Sequence, residues 1–489
     1  MAAVGASSNV RTGPAPAKAR ETICPAGFSF EAFGLARRRP GRLIIFGSFI
    51  GATADAVAPL NRIGRIRAAP EGVPTTMKAC ELKGKTIAFA GSGGLDSCTI
   101  TRWLANQGVH VVSMTINLGQ PDDPDLEAVR RRMIGAGAKE ALVIDGRDYL
   151  AREGLRVIQA QARYEGGYWN TTGIARYVTT DLILQEMRRR GISIISHGAT
   201  GRGNDQVRFQ IATNMLEPDF QCYVPWRDPD FLTTFGGRAQ MIDFCQANGV
   251  EVRHTRAKPY STDANFLGLT HEAGSLESLE AGAWEVTPEF GVRPDQAPDK
   301  VETCEIRYES GVPVKVNGKA VSLVDAFNQA NAIAGRNGVG ICIHVVENRF
   351  VGIKSRGVYE QPGMELLGQG YELLLQLALD RRARRVFEAC SRTLAEQIYQ
   401  GFWFDPASQA ARAAVKVFAE RVTGTLKLGC YKGLVIFQGA TDTPFSLYSE
   451  SAASMEKVGE FDHSDSEGLL RILGISARIL AKTGQINRD

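Results

Sequence analysis

The fold of this chain is best predicted from one segment, TIAFAGSGGLDS (Thr86–Ser97). Its first five residues form a short apolar run, which predicts a buried strand, and a Gly-rich turn follows. After the turn, Ile100, Trp103 and Leu104 recur at helical spacing, which predicts a helix. A helix that begins directly after such a turn presents free backbone N–H groups to an anion. The segment therefore predicts a strand, an anion-binding loop and a helix.

Buried strands and helices continue to alternate beyond this segment. Apolar runs at Val109–Ile116, Ala141–Ile144 and Ile192–Ser196 predict further strands, and residues 173–190 have the pattern of a helix. Nearly continuous apolar strands that alternate with helices are typical of a parallel sheet covered on both faces. We therefore predict a doubly wound α/β fold, with ligands bound beyond the carboxyl ends of the strands.

The second half of the chain has a different pattern. Short strand-like runs such as Cys304–Tyr308 mix with helical stretches such as Ala383–Tyr399, which indicates an α+β domain. Thr423–Phe437 predicts two strands joined by a turn, and Ser466–Lys482 predicts a terminal amphipathic helix. The expected organisation is a leader over 1–76, a first domain over 77–257, a second domain over 258–460 and a helical tail over 461–489.

Charge sets the leader apart from the rest of the chain, although the whole chain of 489 residues has a net charge of only +4. Residues 1–76 contain ten Lys or Arg against four Asp or Glu, a balance of +6, and the rest contains 47 against 49, a balance of −2. We expect the leader to be disordered or to lie upstream of a translation start at Met77, with a targeting segment as the alternative. The remaining charge does not favour a nucleic-acid partner.

Composition excludes several classes of protein. The hydrophobic fraction of 44% and the charged fraction of 22% are typical of globular proteins and exclude a disordered, collagen-like or membrane-spanning chain. Nine cysteines without a C-x-x-C pair indicate free thiols in a reducing compartment. The six histidines form no H-x-x-x-H pair, and we expect no metal site made of protein side chains alone.

The loop Ser92–Ser97 differs from the two commonest phosphate-binding motifs. It contains no G-K-[ST], which excludes a Walker P-loop, and Asp96 stands where G-x-G-x-x-G requires glycine. The pattern S-G-G-x-D-S after a strand resembles the pyrophosphate loop of N-type ATP pyrophosphatases, which cleave ATP between its α- and β-phosphates. The alternative is a Gly-Ser turn capped by Asp96 without a phosphate ligand.

A second polar segment is expected at the same edge of the sheet. His197–Phe209 follows a predicted strand and carries three glycines, then Asn204 and Asp205 at a helix start, and Arg208 one turn later. Arg208 can bind a carboxylate through two parallel hydrogen bonds. The alternative is a capped helix with a surface ion pair.

Three further segments are candidates for a binding site. Tyr164–Thr172 is aromatic and rich in glycine, and Glu347–Arg349 follows an apolar strand. In the third, Thr270–Gly274, Glu272 can pair with an ammonium group of a substrate. His271 beside it is expected to be structural, as a lone His next to Glu more often is. Each segment alone is compatible with a solvated turn, but together they exceed what turn chemistry requires.

Taken together, these segments resemble argininosuccinate synthases, the ATP-dependent ligases that join citrulline to aspartate. The resemblance extends from about Lys83 to the terminal helix, and the first loop is specific only to the wider pyrophosphatase superfamily. The more specific motifs are Asn117–Asp122, Tyr168–Thr172, His197–Phe209, Pro259–Asn265, Thr270–Ala273, Glu347–Arg349 and Lys354–Gly363.

The resemblance implies a fold and an activity. The fold would be an ATP pyrophosphatase-type nucleotide-binding domain, similar to adenine nucleotide alpha hydrolases, followed by a synthetase and multimerisation domain and a C-terminal oligomerisation helix. The activity would be the condensation of citrulline with aspartate in arginine biosynthesis, with ATP and Mg²⁺, release of AMP and pyrophosphate, and a citrullyl-AMP intermediate. The implied assembly is a cytoplasmic homotetramer without a nucleic-acid or membrane partner.

The resemblance also implies roles for individual residues. The ATP set is Ser92, Gly93, Gly94, Leu95, Asp96, Ser97, Ile116, Gly198, Thr200, Asp205 and Asp263. The citrulline set is Tyr168, Asn204, Arg208, Ser261, Thr270, Glu272, Glu347 and Tyr359, and the aspartate set is Thr200, Asn204 and Asp205. Asp205 and Ser97 are the candidate catalytic residues, Asp205 for orienting the metal or accepting a proton.

Three features depart from the family pattern. Gly91 stands where an aromatic residue is usual, Cys98 stands where the family has a hydroxyl, and the leader has no counterpart. Gly91 and Cys98 leave open a nucleotide-binding protein without catalysis, although intact Asn204, Asp205 and Arg208 argue against it. Another pyrophosphatase is a further alternative. A tRNA-thiolating enzyme would need paired cysteines and a basic surface, and an amidotransferase would need a glutaminase domain.

Overall fold

A five-stranded parallel sheet forms the first part of the structure, a computed structural model that describes residues 77–121, 124–251, 260–456 and 462–488. These residues belong to one unit, Val73–Asp489. The strands are β1 (Thr86–Ala90), β2 (His110–Asn117), β3 (Glu140–Asp145), β4 (Ile194–His197) and β5 (Gln221–Tyr223). They are ordered β3-β2-β1-β4-β5, and every neighbouring pair is parallel. The predicted parallel sheet is confirmed.

Helices cover both faces of this sheet. They are α1 (Leu95–Asn106), α2 (Leu126–Gly135), α3 (Arg147–Ala160), α4 (Thr171–Arg190), α5 (Asp205–Leu216), α6 (Pro229–Thr234) and α7 (Arg238–Ala247). Ile87 and Phe89 of β1 pack into a core with α1, α2 and α7, whereas Ala88 packs into a second core with α3 and α4. Because successive side chains of a strand point to opposite faces, the two cores lie on opposite faces, and the doubly wound arrangement is confirmed.

Two antiparallel sheets follow in the second part of the structure. Their strands are β6 (Ser261–Asn265), β7 (Gly268–Glu272), β8 (Glu302–Glu309), β9 (Val312–Val316), β10 (Lys319–Ala320), β11 (Ile343–Asn348), β12 (Lys354–Glu360), β13 (Gly424–Tyr431) and β14 (Leu434–Thr441). One sheet has the order β10-β9-β8-β13-β14 and the other β11-β12-β7-β6. The predicted α+β pattern and the hairpin within Thr423–Phe437 are both present.

Helices of the second part join its sheets to the first part. They are α8 (Leu323–Arg336), α9 (Pro362–Ala378), α10 (Arg381–Gln400), α11 (Pro406–Ala419), α12 (Glu450–Ala453) and α13 (His463–Lys482). The side chains of Asp380 and Asp405 cap α10 and α11 by accepting a hydrogen bond from the first turn of each helix. The larger hydrophobic core contains Ile174 of α4 together with Phe327 of α8 and Leu367 of α9. This shared core fixes the edge of the parallel sheet against the antiparallel sheets.

The terminal helix α13 is confirmed and begins three residues earlier than predicted. Asp462 caps it by accepting a hydrogen bond from the backbone of Ser464 at 2.8 Å. None of its residues is buried, and Leu470, Ile472 and Leu473 are 65%, 70% and 60% exposed. A row of exposed leucine and isoleucine side chains on a helix indicates that the helix packs against a partner surface.

Some predictions concern residues outside the described ranges. These are the leader 1–76, Asp122, Pro259, and the domain boundaries expected at 257/258 and 460/461. Within the described ranges, no helix combines the length and the apolar character needed to cross a bilayer.

Candidate active site

Two adjoining cavities lie at the carboxyl edge of the parallel sheet. The first has a volume of 610 Å³ and is lined by the loop after β1, the end of β2, the loop after β4 and strand β6. The second has a volume of 260 Å³ and is lined by α4, α5 and the strands β7, β11 and β12. The residues that line both are Asp96, Arg176, Gly198, Ala199, Asp205 and Asp263. The cavities therefore meet at a polar boundary, where α/β sheets bind ligands.

The phosphate loop, Ser92–Ser97, forms one wall of the first cavity. Helix α1 begins directly after Gly94, its N-cap residue, and no side chain caps the helix. The N–H groups of this first turn are therefore available to an anion. Gly93 has φ +70°, which turns the loop at a conformation that favours glycine, and the hydroxyl oxygens of Ser92 and Ser97 lie 3.0 Å apart. This geometry fits a chain of phosphates.

Cys98 supports the phosphate loop from the protein interior. Its side chain is fully buried, and the thiol donates to the carbonyl of Gly93 over 3.6 Å. Burial raises the pKa of Cys98 to about 12, so the thiol stays protonated. Cys98 lines neither cavity. Its departure from the family pattern therefore alters the support of the loop and leaves the cavity wall unchanged.

Gly91, the second departure, lies against Ser113 of β2. A Cβ atom at Gly91 would lie 2.2 Å from Ser113 Oγ and 3.1 Å from Met133 Cε. Ser113 and Met133 therefore occupy the space into which a larger residue would project. The hydroxyl of Ser113 is buried and has no hydrogen-bond partner in the described structure. Gly91 and Ser113 thus form a matched pair in this chain.

We expect Gly91→Ala to lower the free energy of unfolding by about 1–3 kcal/mol, because the methyl group overpacks against Ser113. Ser113→Ala alone should be nearly neutral, since it removes a buried hydroxyl without a partner. It should rescue most of the loss in the double variant, because Ser113 Cβ lies at an ordinary distance of 3.5 Å from the new methyl group. Urea unfolding of the four proteins measures these values. A double variant no more stable than Gly91→Ala would contradict the claim that the new methyl group collides with the Ser113 hydroxyl.

Arg176, Asp205 and Asp263, which line both cavities, form an ion-pair network at the boundary with Arg208, which lines the second cavity. Arg176 donates from Nε to Asp205 Oδ2 at 2.9 Å and from Nη2 to Asp263. Arg208 donates from Nη1 to Asp205 Oδ1 at 2.8 Å. Burial opposes the ionisation of Asp205, but the charges of Arg176 and Arg208 outweigh it and lower the pKa of Asp205 to about 2. This low pKa favours an orienting or electrostatic role for Asp205 over proton acceptance.

Arg208 has unused hydrogen-bonding capacity in the second cavity. Its guanidinium lies over the ring of Tyr399 at 5.1 Å, and its Nε donates to the Tyr399 carbonyl at 3.1 Å. Its Nη2 is buried and has no partner among the described residues. A buried N–H group without an acceptor is costly, and a ligand carboxylate in this cavity would satisfy it.

Tyr168, Tyr359 and Tyr399 line the inner wall of the second cavity, and each of them stacks on another tyrosine ring. The rings of Tyr168 and Tyr359 stack at 4.1 Å, and those of Tyr164 and Tyr399 stack at 3.6 Å. The hydroxyl of Tyr399 donates to Glu347, a carboxylate whose pKa is raised because it is buried. Both ring pairs are nearly parallel, with interplanar angles of 21° and 7°, and these close stacks hold the rings in fixed positions, so the wall is preorganised.

Glu272 and Arg349 face each other at the outer side of the second cavity. Arg349 Nη2 lies 3.4 Å from Glu272 Oε2, a long contact for an ion pair. The side chain of Glu272 is 47% exposed, and its partial burial in the cavity, together with the like charge of Asp205, raises its pKa to about 7. Glu272 therefore changes its charge near neutral pH.

Most of the residues predicted for ATP and substrates are brought together by the fold. Those that line the first cavity are Ser92, Gly93, Gly94, Asp96, Ser97, Ile116, Gly198, Asp205 and Asp263. Those that line the second are Tyr168, Thr200, Asn204, Arg208, Thr270, Glu272, Glu347 and Tyr359, again with Asp96, Gly198, Asp205 and Asp263. Thr200, expected at ATP and aspartate, lines only the second cavity. Leu95 is buried in the core, and Ser261 is exposed outside both linings.

Two residues that bind charged side chains of the site, Arg176 and Tyr399, were not predicted from the sequence. Arg176 was part of the predicted helix over 173–190, and Tyr399 was the last residue of another predicted helix. A charged residue among apolar neighbours, Ile174 and Val178, was a usable signal for Arg176 because such a residue needs a buried partner. No comparable signal marked Tyr399, which reaches the site only through tertiary packing.

The two histidines near the site are both held by the structure. His271 Nε2 lies 2.6 Å from Glu360 Oε1, and both side chains are fully buried, which agrees with the expected structural role. His197 Nδ1 accepts a hydrogen bond from the backbone of Ala199 at 3.2 Å. Burial lowers the pKa of His197 to about 3, so its imidazole is neutral at physiological pH.

Comparison with known proteins identifies the family. A family model for the arginosuccinate synthase N-terminal HUP domain matches residues 86–251, and a model for the arginosuccinate synthase C-terminal domain matches residues 260–480. The chain belongs to the argininosuccinate synthase family. The HUP domain corresponds to the parallel sheet with its phosphate loop, so the expected nucleotide-binding fold is confirmed.

Individual relatives agree with this assignment. The chain is 42% identical to the argininosuccinate synthase of Rhodopirellula baltica over 398 residues, which cover 81% of this chain and 98% of the relative. It is 37% identical over 410 residues to that of Thermoanaerobacter sp., covering 83% and 98%, and 35% identical over 398 residues to that of Danio rerio, covering 80% and 95%. A solved tyrosyl-tRNA synthetase from Leishmania major is 12% identical, with a TM-score of 0.17 over 69% of this chain and 48% of that one, too low to support an argument.

Proposed function

We propose that this chain condenses citrulline with aspartate to argininosuccinate, with release of AMP and pyrophosphate. The observation that carries the proposal is the boundary of Arg176, Asp205 and Asp263, at which a cavity with a phosphate loop meets a cavity with polar and tyrosine walls. The relatives of this chain named above are argininosuccinate synthases, which also supports the proposal. The two cavities give ATP and an amino acid a common point of contact, as adenylation requires.

ATP would occupy the first cavity with its phosphates at the loop Ser92–Ser97. The free N–H groups at the start of α1 would stabilise the charge that develops on pyrophosphate as it leaves. In the described parts of the chain, no group of three or more His, Cys, Asp or Glu side chains could hold a metal ion. Asp205 and Asp263 are engaged with Arg176, so we propose that Mg²⁺ enters bound to ATP as part of the substrate.

Citrulline would occupy the second cavity. Arg208 Nη2, buried without a partner in the described structure, would donate to its α-carboxylate. Glu272 would accept from its α-ammonium group, and the stacked Tyr168 and Tyr359 would hold its aliphatic chain. This orientation would direct the ureido group to the boundary with the first cavity.

The reaction would then proceed in two steps through citrullyl-AMP. The ureido oxygen attacks the α-phosphorus of ATP, a P–O bond forms, and the bond to the β-phosphate breaks as pyrophosphate leaves. The amine of aspartate next attacks the activated ureido carbon, and AMP leaves with the former ureido oxygen. Both steps depend mainly on positioning and on charge stabilisation. We therefore assign Asp205 to holding Arg176 and Arg208 in place, and Ser97 to the phosphates.

The pH dependence of citrulline use follows from Glu272. Because its pKa is raised to about 7, Glu272 is a carboxylate above that pH and neutral below it. We expect kcat/KM for citrulline, which reports the free enzyme, to fall about tenfold between pH 8 and pH 6. His197 does not titrate in this range, since its pKa is about 3. Glu272→Gln should give a lower and flatter profile; an unchanged slope would assign the titration to another group.

Assembly and location are also part of the proposal. The exposed apolar side chains of α13, His463–Lys482, would pack against neighbouring copies in a cytoplasmic homotetramer. We retain the division into a nucleotide-binding domain over 77–257, a synthetase domain over 258–460 and a tail over 461–489. Light scattering of the full chain and of Ile472→Asp tests the assembly, because a charge in the contact should shift the tetramer toward smaller species.

The test of the activity uses the full chain with ATP, Mg²⁺, citrulline and aspartate. We expect AMP and pyrophosphate in equal amounts, and argininosuccinate by mass spectrometry, only when both amino acids are present. ¹⁸O in the ureido group of citrulline should appear in AMP if citrullyl-AMP forms. Release of ADP, or turnover indifferent to citrulline, would refute the proposal.

A further inference from the structure

The second cavity contains three guanidinium groups, and they differ in how closely their N–H groups are hydrogen-bonded to the protein. Arg176 and Arg208 bind Asp205 at 2.9 and 2.8 Å, and Arg176 also binds Asp263. Arg349 makes one short side-chain contact, from Nε to Ser355 Oγ at 2.8 Å. Its Nη1 and Nη2 reach the Arg202 carbonyl and Glu272 only at 3.4 Å each. Of the three, Arg349 is the one whose Nη1 and Nη2 both make only long contacts.

Arg349 lies beside the segment that carries the residues proposed for aspartate. It follows the end of β11, and the backbone N–H of the next residue, Phe350, donates to Asn204 Oδ1 at 3.0 Å. The contact of Arg349 with the carbonyl of Arg202 connects it to the same loop. The side chain is 22% exposed and lines the second cavity, so an entering ligand can reach it. The short bond to Ser355 holds Nε of the guanidinium, whereas Nη1 and Nη2, with contacts of only 3.4 Å, can exchange these for shorter bonds to a ligand.

The charge of aspartate requires a cation that the proposed aspartate set lacks. Aspartate brings two carboxylates, whereas Thr200, Asn204 and Asp205 supply two neutral side chains and a third carboxylate. Carboxylates brought close together in a partly dry cavity repel one another strongly. Arg208 is already assigned to citrulline in the proposed function, and Arg176 is paired with the side chains of Asp205 and Asp263. Arg349 is the remaining guanidinium of the cavity.

We propose that Arg349 binds a carboxylate of aspartate and so selects a dicarboxylic amino acid as the nucleophile. The inference rests on the proposed function, which it extends to substrate specificity. Arginine can bind a carboxylate through two parallel hydrogen bonds, which adds geometric selectivity to charge. Release of Arg349 from Glu272 would at the same time free Glu272 for the ammonium group of citrulline.

Steady-state kinetics of Arg349 variants of the full chain test this inference. We expect Arg349→Gln to raise KM for aspartate about 10- to 100-fold, with KM for citrulline changed less than about threefold. Arg349→Lys should fall between, since it keeps the charge but loses the paired geometry. The preference for aspartate over asparagine in kcat/KM should fall about tenfold in Arg349→Gln. The matched control is Lys354→Gln, which removes another cation from the same β11–β12 hairpin. Lys354 donates to Asn348 at 2.6 Å and lines neither cavity. We expect this variant to behave as the wild type.

Direct binding separates failure of the inference from failure of the proposed function. Calorimetry measures L-aspartate binding to the wild type and Arg349→Gln with citrulline and a non-hydrolysable ATP analogue present. Turnover with an unchanged KM for aspartate in Arg349→Gln, or equal losses for both amino acids, overturns the inference alone. Arg349-dependent binding without turnover overturns the reaction and keeps the inference. A wild type that neither binds aspartate nor turns over overturns both.

Discussion

Arg176→Gln is expected to lower kcat roughly 100- to 1000-fold, as does the loss of a donor that stabilises charge in a transition state. Arg176 is the cation at the boundary of the two cavities, and its Nη2 binds Asp263 while its Nε binds Asp205. Without it, Asp263 loses its cation at the point where the α-phosphate of ATP would lie. The carboxylates would then repel the phosphates, so KM for ATP should rise together with the loss in kcat.

Arg176→Gln should also destabilise the protein. Removing one partner of a fully buried ion pair costs about 3–5 kcal/mol. Arg176, Asp205 and Asp263 are 20%, 26% and 35% exposed toward the cavities, so water screens part of this cost and we expect about 1–3 kcal/mol. Urea unfolding and steady-state kinetics on the same preparations separate the two effects.

Two further variants decide how Arg176 acts. Arg190→Gln removes an arginine at the far end of the same helix, where Arg190 pairs with Glu186 and Glu140 on the surface. We expect it to change the free energy of unfolding by less than about 0.5 kcal/mol and to leave kcat unchanged. The double variant Arg176→Gln/Asp263→Asn removes both members of the pair. If the double variant is more stable than Arg176→Gln but has the same low kcat, Arg176 acts on the phosphate. If both stability and kcat recover, the role of Arg176 is only to neutralise the charge of Asp263.

The local parts of the site could be predicted from the sequence because their signals are contiguous. Strand β1 has the predicted bounds, Thr86–Ala90, and the phosphate loop and α1 follow it as expected. An apolar run, paired glycines and a helical repeat are consecutive in the chain, so no tertiary information was needed. The resemblance to the family then placed most of the ligand sets, and the cavities contain nearly all of their residues.

The parts that could not be predicted depend on contacts distant in sequence. Arg176 contacts Asp205 and Asp263, which lie 29 and 87 residues away in the sequence, and a local sequence pattern does not identify such distant partners. Ser261 and Asp263 lie on the same strand, β6, yet Ser261 is exposed outside the cavities and Asp263 lines both. The polar sequence of β6 has no apolar alternation from which its orientation could be predicted. The role of Arg349 likewise depends on the contact between the β11–β12 turn and the loop of Asn204.

The phosphate loop permits a second prediction of large effect, at Gly93. Its φ is +70°, a conformation that costs a residue with a side chain about 1–2 kcal/mol. A Cβ atom there would also lie 2.9 Å from Val129 Cγ1 and 3.1 Å from Arg132 Nη2. Gly93→Ala must therefore shift either the loop or the side chains of Val129 and Arg132, in addition to straining the backbone. We expect KM for ATP to rise at least about 100-fold and kcat to fall, because the N–H groups no longer converge on the phosphates.

Gly84 provides the matched control for Gly93. Its φ is +76°, nearly the same, but a Cβ atom at Gly84 would meet nothing within 4 Å. Gly84→Ala therefore measures the conformational cost alone, which we expect as a loss of about 1 kcal/mol in the free energy of unfolding with KM for ATP unchanged. The difference between the two variants isolates the displacement of the loop. Equal effects of Gly93→Ala and Gly84→Ala on stability and on KM for ATP would mean that the loop tolerates a methyl group, and that its backbone does not hold the phosphates.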